Sequence, residues 1–107
     1  MAEATEAKKI ELPMIVDLLH FARKAGKLIM GTAACEQSLQ RHKAQVCILA
    51  EDASARTKKN IIRLSGQTPV LLCGSKERLG AEFGRKELGI MIVEDGNFAH
   101  GIMRRVK

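Results

Sequence analysis

The chain has no tryptophan, no tyrosine and only three phenylalanines among its 107 residues. Single-stranded nucleic acids are commonly held by stacking bases on exposed aromatic rings, and this chain has almost none to offer. Its core must be aliphatic. Cysteine occurs three times, at Cys35, Cys47 and Cys73, an odd number with no Cys-x-x-Cys pair. That pattern argues against a disulfide framework and fits a reduced, cytoplasmic protein. No apolar run approaches the ~18–20 residues of a bilayer span, and MAEATEAKKIEL has no apolar segment of the signal-peptide kind, so no membrane partner is expected. Catalytic signatures are missing as well: there is no Gly-x-Ser-x-Gly elbow and no His-Glu-x-x-His pair. His20, His42 and His100 fall in different segments, with only Asp17 near His20 as an acidic neighbour. Cys35 and His42 are seven apart, short of the three or four close ligands a metal needs. No enzyme, cofactor or metal is expected.

What is present is positive charge. Eighteen Lys and Arg against twelve Asp and Glu give +6 at pH 7. An excess of this size in a small chain favours a polyanionic partner, most commonly nucleic acid, although it also serves solubility alone. The hydrophobic share of 46% is that of a globular chain.

Residues 1–11 read as a flexible polar tail and 12–107 as a single domain. Pro13 suits the first position of a helix. The run from there to Lys27 carries Ile15, Leu18, Leu19 and Ala22 at the spacing of one helical face, with Arg23 and Lys24 complementing the dipole at its end. LIM, 28–30, is a short strand or connector. Gly31 and Thr32 open a second helix, with Thr32 expected as its cap. The continuous apolar runs VCILA (46–50) and PVLLC (69–73) read as buried strands, the first of the kind covered on both faces, and GIMIVED (89–95) as a further strand. A helical segment follows each. This alternation predicts a three-layer α/β/α sandwich around a central mixed sheet of about four strands.

Functional residues in such folds gather in loops at the carboxyl ends of strands. AEDASARTKKN sets Arg56, Lys58 and Lys59 in the opening turns of a helix, where cations oppose the macrodipole. A bound anion would relieve that opposition; a solvated basic face explains it equally. In LLCGSKERLG, Gly74 forms a tight turn, Ser75 is a good helix cap, and Lys76 and Arg78 project beside it. The Gly-x-x-x-x-Gly-Lys-Ser/Thr pattern of a nucleotide loop is absent. Gly80 and Gly84 have the spacing of a packing seam.

Together, AGKLIMG, GTAACEQSLQ, VCILAEDAS and VLLCGSKERLGAEFG resemble the kink-turn-binding ribosomal protein superfamily, the L-seven-Ae and L-thirty-e group, over about residues 12–105. The likeness is greatest to its small bacterial ribosomal-protein-like members. It implies an RNA-binding protein that reads a sharp bend by shape. The start of the second helix, Gly31 to Gln37, would enter the widened major groove, and the loop from Leu72 to Lys76 would cover an unstacked base. Carried over by position, the RNA-binding residues are Lys27, Gly31, Thr32, Ala33, Ala34, Gln37, Glu51, Lys58, Cys73, Gly74, Ser75, Lys76 and Arg78.

The chain departs from the strong binders at their Gly-x-Asn-Glu-x-x-Lys pattern. Ala33, Ala34 and Gln37 stand where Asn, Glu and Lys would make contacts worth ~1–3 kcal/mol each. Phosphate and shape readout would remain. The resemblance therefore implies a non-enzymatic RNA-binding protein, ribosome-associated or binding kink-turn-like RNA with weakened base-specific contacts. The alternative is a protein-interaction module, with a ribosomal or other protein partner, that kept the fold and lost the RNA site. A monomer is expected.

Overall fold

A computed structural model describes residues 7–106. The strands are β1 (Lys8–Ile10), β2 (Leu28–Met30), β3 (Val46–Leu49), β4 (Val70–Cys73) and β5 (Ile90–Val93). The helices are α1 (Val16–Lys24), α2 (Thr32–Gln40), α3 (Ala55–Ser65), α4 (Lys76–Glu82) and α5 (Gly96–Arg105). The five strands form one mixed sheet in the order β1-β4-β3-β5-β2. Helices α2 and α3 pack together, as do α1 and α5, and the sheet lies between the layers. Helix α4 leans on α1, where His20 stacks on Phe83 with ring centroids 4.6 Å apart.

The apolar runs become the centre of the sheet because every residue of β3 and β5 is buried. Strand β3 pairs in parallel with β4 (Ile48 opposite Leu71) and antiparallel with β5 (Ile48 opposite Met91). Only strands covered by helices on both sides can be apolar at consecutive positions. The three cysteines are buried and unbridged. Burial pushes the thiols up, Cys47 to about 12 and Cys73 to about 11, and Cys35 further still.

Three expectations need correction. The sheet has five strands, not about four, because Lys8–Ile10, assigned above to the tail, pairs in parallel with β4 (Ile10 opposite Cys73). Its pattern is illegible in sequence: Ile10 alone is buried, and three residues carry no periodicity. Residues 1–6 of the expected tail lie outside the described residues. Next, the first helix does not run from Pro13. Leu12–Met14 makes a single 3-10 turn with Pro13 at its start, and Ile15, at φ −131° and ψ 0°, breaks the geometry before α1 begins. Finally, Thr32 does not cap α2. Gly31 holds the cap position at φ +99°, a conformation that favours glycine, and no side chain caps the helix.

The expected cap at Ser75 is present: its hydroxyl accepts from the Arg78 N–H at 3.0 Å at the start of α4. Ser54, not singled out from sequence, caps α3 in the same way, accepting from the Thr57 N–H at 3.1 Å. Gly80, read as a packing position, lets main chain approach closely. A Cβ there would lie 2.6 Å from the Arg85 carbonyl oxygen and 2.9 Å from the Glu87 backbone.

Candidate functional site

Strands β1, β2, β3 and β4 run one way and β5 runs the other. The carboxyl ends of the first four therefore meet the amino end of β5 at one edge of the sheet. There the start of α2, the β3–α3 loop, the β4–α4 loop and the segment before β5 converge.

Main-chain hydrogen bonds tie these pieces together. The Glu51 N–H donates to the Gly74 carbonyl at 2.8 Å, and Ala50 N–H to Gly89 at 2.8 Å. Gly31 N–H reaches Ile90 at 3.1 Å, and Leu88 N–H reaches Lys76 at 3.0 Å. The Asp52 carboxylate crosses between loops to accept from the Lys76 N–H at 2.7 Å. Between them lies a cleft of about 230 Å³ whose walls carry Thr32, Ser54, Thr57, Lys76 and Glu87. Hydroxyls, an ammonium and a carboxylate offer both donors and acceptors to an entering group.

The site residues named from sequence do not all gather here. Gly31, Thr32, Glu51, Gly74, Ser75 and Lys76 share this edge. Lys58 joins it by donating its ammonium to the Glu51 carbonyl at 2.5 Å, while the Glu51 carboxylate faces Lys9 at 3.5 Å. Arg78 stands exposed in the first turn of α4, its stem against Gly74. Ala33 is exposed at the start of α2, and Ala34 and Gln37 border a separate hollow of about 210 Å³ beside Arg41, Lys43 and Glu94. In that hollow the buried Ser38 hydroxyl donates to Glu94 at 2.6 Å.

Two of the named residues stand apart from this edge. Cys73 is fully buried, so its side chain cannot touch a partner. Lys27 sits at the far end of β2, its carbonyl accepting from the Glu94 N–H, so its backbone is a strand's length from Gly31.

Sequence reasoning missed Arg85, whose guanidinium nitrogen lies 3.7 Å from where a Gly31 Cβ would be. The adjacent basic pair Arg85-Lys86, between Gly84 and the last strand, was the available signal. Arg41 and Lys43 were missed because their role depends on which face of α2 the sheet leaves open.

The histidines do not form a reaction centre. His20 pairs with Glu82 at 2.7 Å rather than with Asp17, which binds Arg105 at 2.6 Å. The Arg105 guanidinium holds the Asp17 carboxyl below its ordinary value. Cys35 donates its thiol to the Ile29 carbonyl at 3.5 Å, while His42 is exposed. Among the described residues, no three His, Cys, Asp or Glu side chains are grouped to hold a metal ion, and no helix is long and apolar enough to cross a membrane.

An α/β/α sandwich with loops and helix starts converging at one sheet edge defines a binding scaffold. The chain belongs to the ribosomal protein L7Ae/L30e/S12e/Gadd45 family, whose model matches residues 14–100. A solved structure from Bacillus halodurans, a protein of unknown function, is similar with a TM-score of 0.77 and 28% identity, over 85% of this chain and 94% of that one. The 15.5kD RNA binding protein of Giardia lamblia shares the fold, with a TM-score of 0.66 and 20% identity, over 88% of this chain and 85% of that one. No curated protein matches the chain significantly.

Proposed function

We propose that this protein is a non-enzymatic RNA-binding protein whose contact edge is the start of α2 together with the two loops after β3 and β4. One observation carries the reading: at a single sheet edge, a helix start that no side chain caps stands beside Arg85 and shares a cleft with Lys76. Unpaired main-chain N–H groups and nearby cations are what a phosphate requires. Family membership and the shared fold of an RNA-binding protein from Giardia lamblia support the same reading.

Readout in this proposal is by phosphate and shape, at a bent or kink-turn-like RNA, ribosomal or otherwise, with an unstacked base entering the cleft beside Lys76. Ala33, Ala34 and Gln37 supply no charged contact to bases, so discrimination among bent RNAs is weak. The protein acts as a cytoplasmic monomer in this reading. Filter-binding titrations of a kink-turn RNA and a plain duplex across salt concentrations test it. Binding that weakens steeply with salt and prefers the bent RNA supports the proposal; no binding at low salt, or salt-indifferent binding, overturns it.

A second reading, a protein-interaction module using the same edge, is favoured by the apolar opening Ala33-Ala34 on an exposed helix face. It predicts a partner retained after ribonuclease treatment and displaced by substitutions at Ala33 and Ala34.

A further inference from the structure

The cleft at the contact edge is lined by two side chains of opposite charge, Lys76 and Glu87. Among the described residues, neither takes part in an ion pair. Both are anchored at the backbone. The Lys76 N–H donates to Asp52 at 2.7 Å and its carbonyl accepts from the Leu88 N–H at 3.0 Å. Its stem lies against Gly89, with Cδ 3.9 Å from where a Cβ would stand. Glu87 is pressed against Gly80, where a Cβ would lie 2.9 Å from both the Glu87 nitrogen and its Cα. A third group completes the lining. Ser54 donates its hydroxyl to Thr57 Oγ1 at 3.0 Å and accepts the Thr57 N–H, so Ser54 is spent while Thr57 keeps its own O–H to donate.

At about 230 Å³ the cleft is smaller than the roughly 300–1,000 Å³ that takes a drug-sized ligand. It suits one ring system and not a whole nucleotide. A carboxylate only accepts and an ammonium only donates, so a base that satisfies both needs paired donors on one edge with an acceptor beside them. Uracil sets its single N3–H between two carbonyl oxygens, which would meet the carboxylate with like charge. Cytosine and adenine each offer one amino group flanked by a ring nitrogen that accepts. Guanine alone of the four sets N1–H and the N2 amino group side by side, a match for both oxygens of one carboxylate, with O6 and N7 left as acceptors. Unstacked RNA bases are read along these edges.

We infer that the cleft selects guanine as the unstacked base, with Glu87 accepting from N1–H and the N2 amino group and Lys76 donating to O6. Glu87 is the specificity-determining residue. The choice of base falls to the cleft because Ala33, Ala34 and Gln37 on α2 bring no charged base contact. A base without the donor pair leaves the Glu87 carboxylate facing acceptors or nothing, and a site built for a hydrogen bond rejects the ligand that lacks it. The inference rests on the RNA reading and deepens it by naming the base.

The test titrates the full chain, by filter binding, with four kink-turn RNAs identical except for G, A, C or U at the unstacked position. A fifth RNA carries hypoxanthine there, which keeps N1–H and O6 and lacks the N2 amino group. The guanine RNA should bind more tightly than the uracil RNA by roughly tenfold or more, with hypoxanthine between them. Glu87→Gln keeps the size of an exposed side chain, so the fold is retained. It should erase the guanine advantage and strengthen the uracil RNA, whose N3–H and O4 an amide can pair. Equal binding of the four RNAs, preference for another base, or a guanine preference that survives Glu87→Gln overturns the inference and leaves the RNA reading standing. Failure of all five RNAs to bind at low salt overturns the RNA reading and this inference with it.

Discussion

The Asp52 carboxylate, in the loop after β3, accepts the main-chain N–H of Lys76 at 2.7 Å, at the start of the helix after β4. It serves α4 as a long-range cap, alongside Ser75, and locks two loops of the proposed contact edge into one surface. Removal of a capping oxygen typically costs about 0.5–2 kcal/mol. Asp52→Ala should therefore lower the melting temperature by several degrees, about 4–8 °C per kcal/mol in a domain of this size. It should also weaken RNA binding beyond what the charge change predicts, since removing an acid alone should strengthen it. Unchanged melting would show that the bond contributes nothing.

Lys76, the first residue of α4, and Arg85, in the segment after that helix, flank the uncapped start of α2. Under the proposed function, replacing both by alanine should reduce the slope of log affinity against log salt by about 2, one phosphate contact each. Lys27→Ala should leave that slope nearly unchanged, because β2 carries Lys27 away from the edge. A larger loss with Lys27→Ala would misplace the interface.

Ala33 and Ala34 are exposed on α2, so polar side chains fit there without repacking. The triple change Ala33→Asn, Ala34→Glu and Gln37→Lys should raise affinity for a kink-turn RNA over a duplex by at least roughly tenfold, given ~1–3 kcal/mol per restored contact. No gain would show that this helix start is not the reading head.

Gly80 and Gly84 look equivalent in sequence and differ in cause. A Cβ on Gly80 would collide with the backbone at Arg85 and Glu87, so Gly80→Ala should cost about 1–3 kcal/mol. Gly84, at φ +74° with open space around it, should accept asparagine, which tolerates the left-handed region, with little change. Denaturant midpoints of the two variants distinguish these mechanisms.

The thiols give a pH dependence with a definite sign. Unfolded, they ionise near the ordinary 9.0; folded, burial holds Cys47 at about 12 and Cys73 at about 11. Above about pH 9 the unfolded chain sheds protons that the native state keeps, so stability falls as pH rises. The contribution is fully present below 9 and is lost through 11 to 12. With no tyrosine present, urea midpoints at about pH 8 and 10 read this effect below most of the lysine range. Thiol reagents at pH 8 should label native protein only through opening of the fold. Rapid stoichiometric labelling would contradict the burial.

Much of this was legible in residues alone. Continuous apolar runs announced the buried strands, because only strands covered on both faces tolerate consecutive apolar side chains. Ser75 announced the start of α4, because a hydroxyl at the cap satisfies a main-chain N–H locally. The family's motifs fell on the loops that meet at the sheet edge. Such features depend on neighbours within a few positions, and a linear string contains them.

What only the tertiary structure decided depends on partners far along the chain. Strand β1 exists because the β4 edge offers it hydrogen bonds. Lys27 left the proposed edge and Arg85 joined it because strand direction, not sequence distance, brings loops together. Cys73 withdrew into the core, and Phe21 was left exposed on α1. Local propensity writes the elements; long-range pairing and burial choose which side chains they present.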